Sequence, residues 1–253
     1  MELWGYFPQH KMRIELFFGA GGAFFNMPRS RYHILNDFDD DVTNLYEVVC
    51  SDRHTLSKAI EMMPISSSLV KKWKNQTFQD PIKKALRFLL LSNFTYLGKG
   101  DTLRLSIDNT KELLLGNIEK TFEALKNEKI TNLDFREVIP KISFSKKLIP
   151  ERDAFVYLDP IYLDTDHYYR VPKWTADDTI DCLDIMSNSG LNCAMSEFNH
   201  PLIMEESAKR GFEVIPIKER QNIKNRKMEV LIVNYDRLNL FSKIDPITKK
   251  LKS

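Results

Sequence analysis

The chain has 253 residues, 43% of them hydrophobic and 28% charged, which is typical of a soluble globular protein and excludes disordered and collagen-like classes. Its formal net charge of +2 neither requires nor excludes a polyanionic partner, and its three cysteines lack CxxC spacing, so we expect no disulfide framework and no zinc site. Since no stretch reaches the roughly 18 apolar residues of a membrane helix and the N-terminus lacks a signal-peptide core, we expect a cytoplasmic protein that contacts no membrane.

The first half of the chain changes from strands to helices. Apolar runs flank a glycine-rich turn near its start, and farther on apolar residues recur three and four positions apart. The pattern predicts strands at 13–18 and 31–35, mostly helices from 39 to 93, a helix over 111–126 and a strand near 130–133.

Strands and helices alternate in the second half. The same reading predicts strands at 154–158, 191–195, 212–216 and 229–235, with helices from 176 and over 201–210. Because such alternation builds a largely parallel sheet covered on both faces, the expected fold class is α/β, a Rossmann-like sheet that is mostly parallel with helices on both faces.

The turn LFFGAGGAFF, residues 16–25, directly follows the first predicted strand. Glycines let the backbone approach a ligand closely, and ligands of open α/β sheets bind at the carboxyl ends of the strands. Asp37 follows the next strand about twenty residues later, a position suited to accept hydrogen bonds from ribose hydroxyls. The spacing favours an adenosine-type cofactor, although a tight connection with helix-capping acids would give the same pattern.

The segment YLDPIYLDT, residues 157–165, places Asp159, Pro160 and Tyr162 directly after a buried strand. Proline fixes the backbone, so its carbonyl and the Asp159 carboxylate are two acceptors able to grip one amino group. Tyr162 could stack on a base extruded from a duplex. The alternative is a strand-ending turn in which Asp159 caps backbone amides and Tyr162 belongs to the core.

Together and in this order, the two segments resemble the Dam-like DNA adenine methyltransferases of the D12 class, in which a DPPY-type motif follows a glycine turn. The resemblance covers nearly the whole chain. It also includes the acidic segment up to residue 49, NLDFREVI at 132–139 and RKMEVLIVNY at 226–235.

The resemblance implies a site-specific adenine-N6 methyltransferase that uses S-adenosylmethionine, yields S-adenosylhomocysteine and needs no metal. By the family's mechanism, Asp159 and the Pro160 carbonyl accept the amino hydrogens of a flipped adenine and aim the nitrogen lone pair at the sulfonium methyl. The residues that the resemblance places around the cofactor are Trp4, Phe17, Gly19, Gly21, Asp37, Asp134, Phe135 and Asp159.

Two departures from the family pattern stand out. Ile161 replaces the second proline of DPPY, which predicts lost rigidity rather than lost chemistry, since the acceptor carbonyl belongs to Pro160. The family's N-terminal segment is reduced to LWGYFPQH, residues 3–10, where Trp4 matches its tryptophan while its glycine pair and lysine have no counterpart. The second departure predicts weak cofactor binding or a shortened chain.

The middle of the chain is helical and basic, and it occupies the position of the family's target-recognition region. The resemblance implies a catalytic domain over 1–50 and 128–240, a helical DNA-recognition insertion over 51–127 and a basic tail over 241–253. Lysine and arginine there would neutralise DNA phosphates, although any one of them could lie on a solvated helix face. The predicted DNA-binding residues are Lys71, Lys72, Lys74, Lys99 and Arg104, with Arg170 in the loop 164–173.

Other functions stay open at this point. A catalytically silent homologue that binds DNA or cofactor would fit the two departures, and related turns serve methyltransferases of other nucleic-acid amines. A nicotinamide dehydrogenase fits less well because the turn is not GxGxxG. The sequence does not give the recognition sequence, a restriction endonuclease partner or the phage or host origin, and a monomer is the default expectation.

Overall fold

The computed structural model describes residues 3–106, 108–144, 147–165, 171–221 and 226–237. Its centre is a seven-stranded sheet. The strands are β1 (Met12–Glu15), β2 (Tyr32–Asn36), β3 (Lys129–Thr131), β4 (Ala154–Leu158), β5 (Asn192–Phe198), β6 (Glu213–Gln221) and β7 (Arg226–Val233), in the spatial order β3-β2-β1-β4-β5-β7-β6.

The helices divide between the sheet and a separate layer. They are α1 (Gly22–Asn26), α2 (Asp40–Met62), α3 (Ser67–Trp73), α4 (Pro81–Phe94), α5 (Thr110–Leu125), α6 (Phe135–Val138), α7 (Ala176–Asn188) and α8 (Pro201–Lys209). None of the helices described is both long and apolar enough to cross a membrane.

Strand pairing confirms the predicted α/β class with a mostly parallel sheet. The first five strands pair in parallel, whereas β7 runs antiparallel to both β5 and β6. Strand β6 extends to Gln221, five residues beyond the predicted end at residue 216, and β7 begins at Arg226 rather than 229. Polar residues there pair across the two strands, Lys218 with Glu229 and Arg220 with Lys227. Backbone hydrogen bonds between β6 and β7, and not the alternation of apolar residues, therefore set the length of the two strands.

Both faces of the sheet carry apolar layers. On one face, Ile14, Val156 and Met195 pack with Leu183 of α7 and Ile203 of α8 in the largest buried cluster. The opposite face is covered in two patches. One is centred on Phe155 and Leu231 with N-terminal residues against it, and the other joins Phe24 of α1, Leu35 of β2 and Tyr46 of α2. Burying the sheet on both sides explains why its strands read as continuous apolar runs.

The helices α2–α5, here called the helical subdomain, enclose a core of their own. Leu56 and Ile60 of α2 pack there with Leu86 and Leu90 of α4 and Ile118 of α5. Helix α2 serves both cores, because its first turns contribute Val42 and Tyr46 to the cluster against the sheet. The helical subdomain is thereby anchored beside the carboxyl end of β2.

The strand order reverses at β1, since β2 and β3 lie on one side of it and β4 to β7 lie on the other. Strand β1 pairs with β2 on one side and with β4 on the other, so the connections leaving β1 and β4 open a crevice at their carboxyl ends. Ligands of open α/β sheets bind at such a switch point. The glycine turn and the segment beginning at Asp159 both start there.

Candidate active site

A large cleft lies between the carboxyl edge of the sheet and the helical subdomain. Its volume is about 1090 Å³, enough for a nucleoside-sized ligand together with a second group. The sheet side contributes Phe17, Gly19, Asp37, Asp134, Phe135, Asp159, Pro160, Ile161, Tyr162, Trp174 and Phe198, and the helical side includes Lys74, Arg87, Lys99 and Asp101.

The glycine turn presents backbone to this cleft. Gly19 has φ +51° and a Cβ built on it would meet nothing within 4 Å, so the backbone here is open to close approach. Gly21 has φ +71° and a Cβ there would lie 2.4 Å from the Phe25 ring. Gly21 therefore shapes the turn, whereas Gly19 lines the cleft.

Asp37 lies at the end of β2 and is fixed by two backbone donors. The amide of Gly19 donates to Oδ2 at 2.6 Å, and the amide of Asp39 donates to Oδ1 at 2.8 Å. Burial raises the pKa of Asp37 to about 6, although these two hydrogen bonds oppose the rise. Each carboxylate oxygen can still accept a further hydrogen, which is the capacity that a ribose diol requires.

Buried Asn36 holds the surrounding segments together. Its Nδ2 donates to the carbonyl of Leu16 and to that of Leu133, each at 3.0 Å. Its Oδ1 accepts from the Thr131 hydroxyl at 2.8 Å and from the Leu133 amide at 3.1 Å. One satisfied side chain thus joins the ends of β1, β2 and β3, which positions both the glycine turn and the segment leading to Asp134.

Three aromatic rings meet on the sheet side of the cleft. The Phe17 centroid lies 5.1 Å from that of Phe135 and 5.5 Å from that of Trp174, and the last two centroids are 5.6 Å apart. Trp174 Nε1 donates to the Thr179 hydroxyl at 2.9 Å. The rings form an apolar wall suited to the flat face of a purine.

Arg136 packs against this wall and also lines the cleft. Its guanidinium donates to Asp134, Asp178 and Asp181 at 3.1, 2.5 and 2.6 Å, and these hydrogen bonds raise its pKa. The carbon Cζ lies 4.3 Å from the Phe135 ring centroid. Arg136 therefore links the N-terminus of α6 to that of α7 and fixes the side chain of Asp134.

The segment after β4 brings the three predicted catalytic residues to the cleft. Asp159 is exposed, Pro160 is buried and Tyr162 is half-buried. The Tyr162 hydroxyl lies 3.2 Å from Asp159 Oδ1 and 3.0 Å from Glu229 Oε1. The Tyr162 ring meets Phe198 at a centroid distance of 4.7 Å and an interplanar angle of 85°. Tyr162 therefore lies in the cleft wall, with one side of its ring packed on Phe198.

Glu197 of β5 supports this segment from beneath. It is fully buried, and its two oxygens accept from the amides of Leu163 at 3.1 Å and Phe198 at 2.7 Å. Burial raises the pKa of Glu197 to about 7. The side chain ties the turn after β4 to the end of β5.

Titration of Glu197 is expected to weaken the fold as the pH rises. Its folded pKa of about 7 lies above the ordinary value of 4.5, so its contribution to stability is complete below about pH 4.5 and is lost as the pH rises through 7. We expect the difference in free energy of unfolding between the wild type and Glu197→Gln to fall by about 2 kcal/mol between pH 5 and pH 8. Urea titrations at the two pH values measure it.

Glu197→Gln is the reference because other buried groups also titrate. Burial lowers the pKa of His33 to about 3, which makes the fold more stable as the pH rises and opposes the effect of Glu197. Subtracting the variant removes this contribution. A difference that stays constant from pH 5 to pH 8 would contradict the prediction.

The predicted cofactor residues divide in two. Phe17, Gly19, Asp37, Asp134, Phe135 and Asp159 share the cleft wall. Trp4 does not line the cleft, since it lies in the short 3-10 helix Leu3–Tyr6 whose neighbours pack on Phe155 and Tyr157. The N-terminal segment thus covers a face of the sheet, and Phe7 meets Phe155 at 4.6 Å between centroids.

The predicted DNA-binding residues are more dispersed. Lys74 and Lys99 line the cleft from the helical side. Lys71 and Lys72 are exposed on α3 outside the cleft lining, and Arg104 is exposed and pairs with Asp108 at 2.9 Å. Arg170 lies outside the described residues, as does the tail 241–253.

The sequence as a whole matches the family described as D12 class N6 adenine-specific DNA methyltransferase over residues 2–230. The chain belongs to this family. The match runs from the N-terminal segment into β7 and therefore includes every element that lines the cleft.

Known relatives of this D12-class chain cover a smaller part of it. It is 32% identical over 97 residues to the DNA adenine methylases of Salmonella typhi and Salmonella typhimurium, the latter including strain LT2. The alignment spans 36% of this chain and 34% of each relative, so the chain covers about a third of the length of these methylases. A solved rRNA methylase of Streptococcus thermophilus aligns over 90% of this chain and 89% of its own, with 9% identity and a TM-score of 0.38.

The sequence analysis named neither Trp174 and Phe198, which line the cleft, nor Glu229, which accepts a hydrogen bond from Tyr162. Phe198 and Glu229 are directly paired neighbours on β5 and β7, and Trp174 immediately precedes the capping box of α7 at Thr175. The pair Thr175 and Asp178 has the spacing of a capping box, and because a hydrophobic residue just before a helix cap commonly packs inward, this was the signal that could have found Trp174. No local signal points to Glu229, because its partner Tyr162 lies 67 residues away.

Proposed function

We propose that this protein transfers the methyl group of S-adenosylmethionine to the N6 amine of an adenine extruded from duplex DNA. One observation supports this most directly. Asp159, Pro160 and Tyr162 share a single cleft with Asp37 and the glycine turn. An acceptor pair and a nucleoside site in one cavity are what a methyl transfer between two purine-bearing molecules requires.

The residues present fit the cofactor. Gly19 leaves its approach open, and Asp37 offers a fixed carboxylate at the carboxyl end of β2. Phe17 and Phe135 offer an apolar wall for the adenine ring. These residues would hold S-adenosylmethionine, which when bound supplies an electrophilic methyl group on sulfur.

The residues of the turn act on the target amine. The Asp159 carboxylate accepts one amino hydrogen and the Pro160 carbonyl accepts the other, which localises the lone pair on nitrogen and orients it for in-line attack. The amine loses one proton as it gains the methyl group, and the exposed Asp159 carboxylate would take that proton and pass it to water. Tyr162 contributes a ring on which the extruded base stacks. Ile161 replaces a proline without removing either acceptor, so the DPIY sequence is compatible with the full reaction.

The helical subdomain faces the same cleft and is proposed to contact the DNA. Arg87 of α4 donates to Asp41 at 2.9 Å and to the Trp73 carbonyl at 3.0 Å, which fixes the end of α3. Lys74 follows directly and pairs with Asp101. A phosphate could replace Asp101 as the partner of Lys74, so binding would exchange one ion pair for another.

Methyl transfer is tested by incubating the protein with S-adenosylmethionine carrying a labelled methyl group and with mixed-sequence duplex DNA. Digestion to nucleosides and mass spectrometry should find the label in N6-methyladenine, and sequencing that detects methylated bases then gives the recognition sequence. Parallel reactions contain single-stranded DNA or RNA. Label on another base, label only on RNA, or cofactor binding without transfer would overturn the proposal.

Loss of a cleft lysine is expected to weaken DNA binding independently of sequence. We expect Lys74→Ala and Lys99→Ala each to lower affinity for duplex DNA about tenfold at 100 mM salt and to reduce the slope of log K against log salt by about 1. Fluorescence anisotropy over a salt series measures both quantities. Lys209→Ala is the matched control, because Lys209 is equally a surface lysine but lies on α8 and pairs with Glu205 and Glu206. An equal change in all three variants would contradict the placement of DNA at the cleft.

A further inference from the structure

The Tyr162 hydroxyl lies between two carboxylates. It is 3.0 Å from Glu229 Oε1 and 3.2 Å from Asp159 Oδ1. Burial and the charges of Asp159 and Glu229 raise the pKa of Tyr162, so the phenol carries its proton at any working pH. A hydroxyl has one proton to donate, and therefore the two carboxylates compete for it.

Glu229 is built into the fold, whereas Asp159 borders the cleft. Glu229 is 7% exposed in the middle of β7, and it pairs in register with Phe198 on one side and with Lys218 on the other. The Lys218 ammonium lies 3.9 Å from its Oε2. Its backbone is thus held in the sheet, and its side chain reaches the Tyr162 hydroxyl from behind the cleft wall.

The competition matters for the chemistry of Asp159. A carboxylate oxygen that accepts a hydrogen bond from the phenol is a weaker acceptor for a second hydrogen bond and is less well placed to receive it. The proposed reaction needs Asp159 as the acceptor of an amino hydrogen. A phenol that donates to Glu229 instead does not compete for this acceptor.

We infer that Glu229 is a positioning residue for methyl transfer, which draws the Tyr162 hydroxyl away from Asp159 and holds the Tyr162 ring at the cleft wall against Phe198. This inference rests on the proposed function, since it assigns a task within that reaction. Glu229 touches neither the base nor the cofactor in this scheme. It acts through Tyr162 on the acceptor strength of Asp159 and on the stacking surface.

Competition for the phenol proton predicts that a second substitution restores part of the activity that the first removes. In Glu229→Ala the phenol has lost its buried acceptor and donates to Asp159, so activity falls. Adding Tyr162→Phe removes the competing donor while keeping the ring, so activity should partly return. A residue that only stabilised the fold would give no such recovery, because the second change removes a further hydrogen bond.

The experiment measures single-turnover methylation of a duplex that the wild type methylates, with enzyme and cofactor in excess. We expect Glu229→Ala to lower the rate about 30-fold, Glu229→Gln to stay within about threefold because its amide oxygen still accepts, and Glu229→Ala with Tyr162→Phe to regain about fivefold over Glu229→Ala. When the cofactor concentration is varied, the concentration that gives half the maximal single-turnover rate should change less than about twofold in all three. Melting temperatures confirm that each variant is folded.

Tyr157→Phe is the matched control. Tyr157 lies on β4, where its hydroxyl makes a buried hydrogen bond to Ser196 of β5 at 2.8 Å, and it does not line the cleft. We expect this control to methylate at the wild-type rate. Wild-type activity in Glu229→Ala, or a loss that Tyr162→Phe does not relieve, overturns the inference while the proposed function stands. Failure of the wild type itself to methylate DNA overturns both.

Discussion

Asp159→Ala is expected to lower the rate of DNA methylation about 1000-fold, the range seen when a preorganised acceptor or donor is removed from a reacting centre. The carboxylate borders the cleft directly after β4, beside Pro160 and Tyr162. Without it, the target amine keeps only the Pro160 carbonyl as an acceptor, and its lone pair stays in conjugation with the ring. Single-turnover assays with labelled S-adenosylmethionine measure the rate.

Asp164→Asn provides the control for this prediction. Asp164 lies five positions farther along the same turn, is exposed, and pairs with His200 at 3.2 Å outside the cleft lining. Its φ of 57° favours asparagine over alanine as the replacement. Asp164→Asn should retain the wild-type rate within about twofold. If Asp159→Ala kept more than about a tenth of the rate, Asp159 would not be the principal acceptor.

Asp159→Ala is expected to lower the methylation rate far more than it lowers the affinity for the cofactor product. We expect the affinity for S-adenosylhomocysteine, measured by calorimetry, to fall less than about tenfold, because most cofactor contacts are assigned to Asp37 and the aromatic wall. A large loss of rate with a small loss of affinity is the signature of an interaction made chiefly in the transition state.

The elements of the fold could be predicted from the sequence where a local pattern determines them. The apolar run before Asp159 predicted a strand over 154–158, and β4 occupies those residues. Helices were predicted over 39–93, where proline suits the first position of a helix, and α4 begins at Pro81 with Asp80 accepting from the amide of Lys83. In both places the residues that carry the signal also make the contacts.

Contacts between distant segments were not predictable in the same way. Glu229 and Tyr162 approach each other only because β5 separates β4 from β7 by one strand. Lys74 lines the cleft while Lys71 and Lys72 do not, although all three belong to the same basic run. Lys74 differs from the other two because Arg87 holds the end of α3 through the Trp73 carbonyl. The spacing of apolar residues along the sequence does not reveal this contact.

The positions predicted to surround the cofactor show the same division. The glycine turn and Asp37 were predicted from their spacing, because strand ends are adjacent in a parallel sheet, and Gly19 was assigned from the resemblance. Trp4 was assigned to the cofactor from the resemblance, and the structure places it away from the cleft lining. Its assignment stays a prediction, since the packing of the N-terminal segment on the sheet and not a local motif decides where this residue lies.

Asp37→Ala is expected to weaken binding of S-adenosylhomocysteine about 100-fold. Two charge-assisted hydrogen bonds to a ribose diol would contribute roughly 3 kcal/mol together, which corresponds to that factor. The variant also removes a hydrogen bond of the glycine turn, because the Gly19 amide donates to Asp37 Oδ2 at 2.6 Å. Isothermal titration calorimetry measures the affinity, and Asp40→Ala is the control, since Asp40 is exposed and pairs with Lys84 outside the cleft lining.

The same carboxyl predicts how binding depends on pH. Because burial raises the pKa of Asp37 to about 6, a substantial fraction is protonated at pH 5, and a protonated carboxyl accepts one hydrogen fewer. The affinity for S-adenosylhomocysteine should therefore rise about fivefold or more between pH 5 and pH 7 in the wild type and in Asp40→Ala, and should stay flat in Asp37→Ala. An equal rise in Asp37→Ala would assign the titration to another group and remove Asp37 from the ribose site.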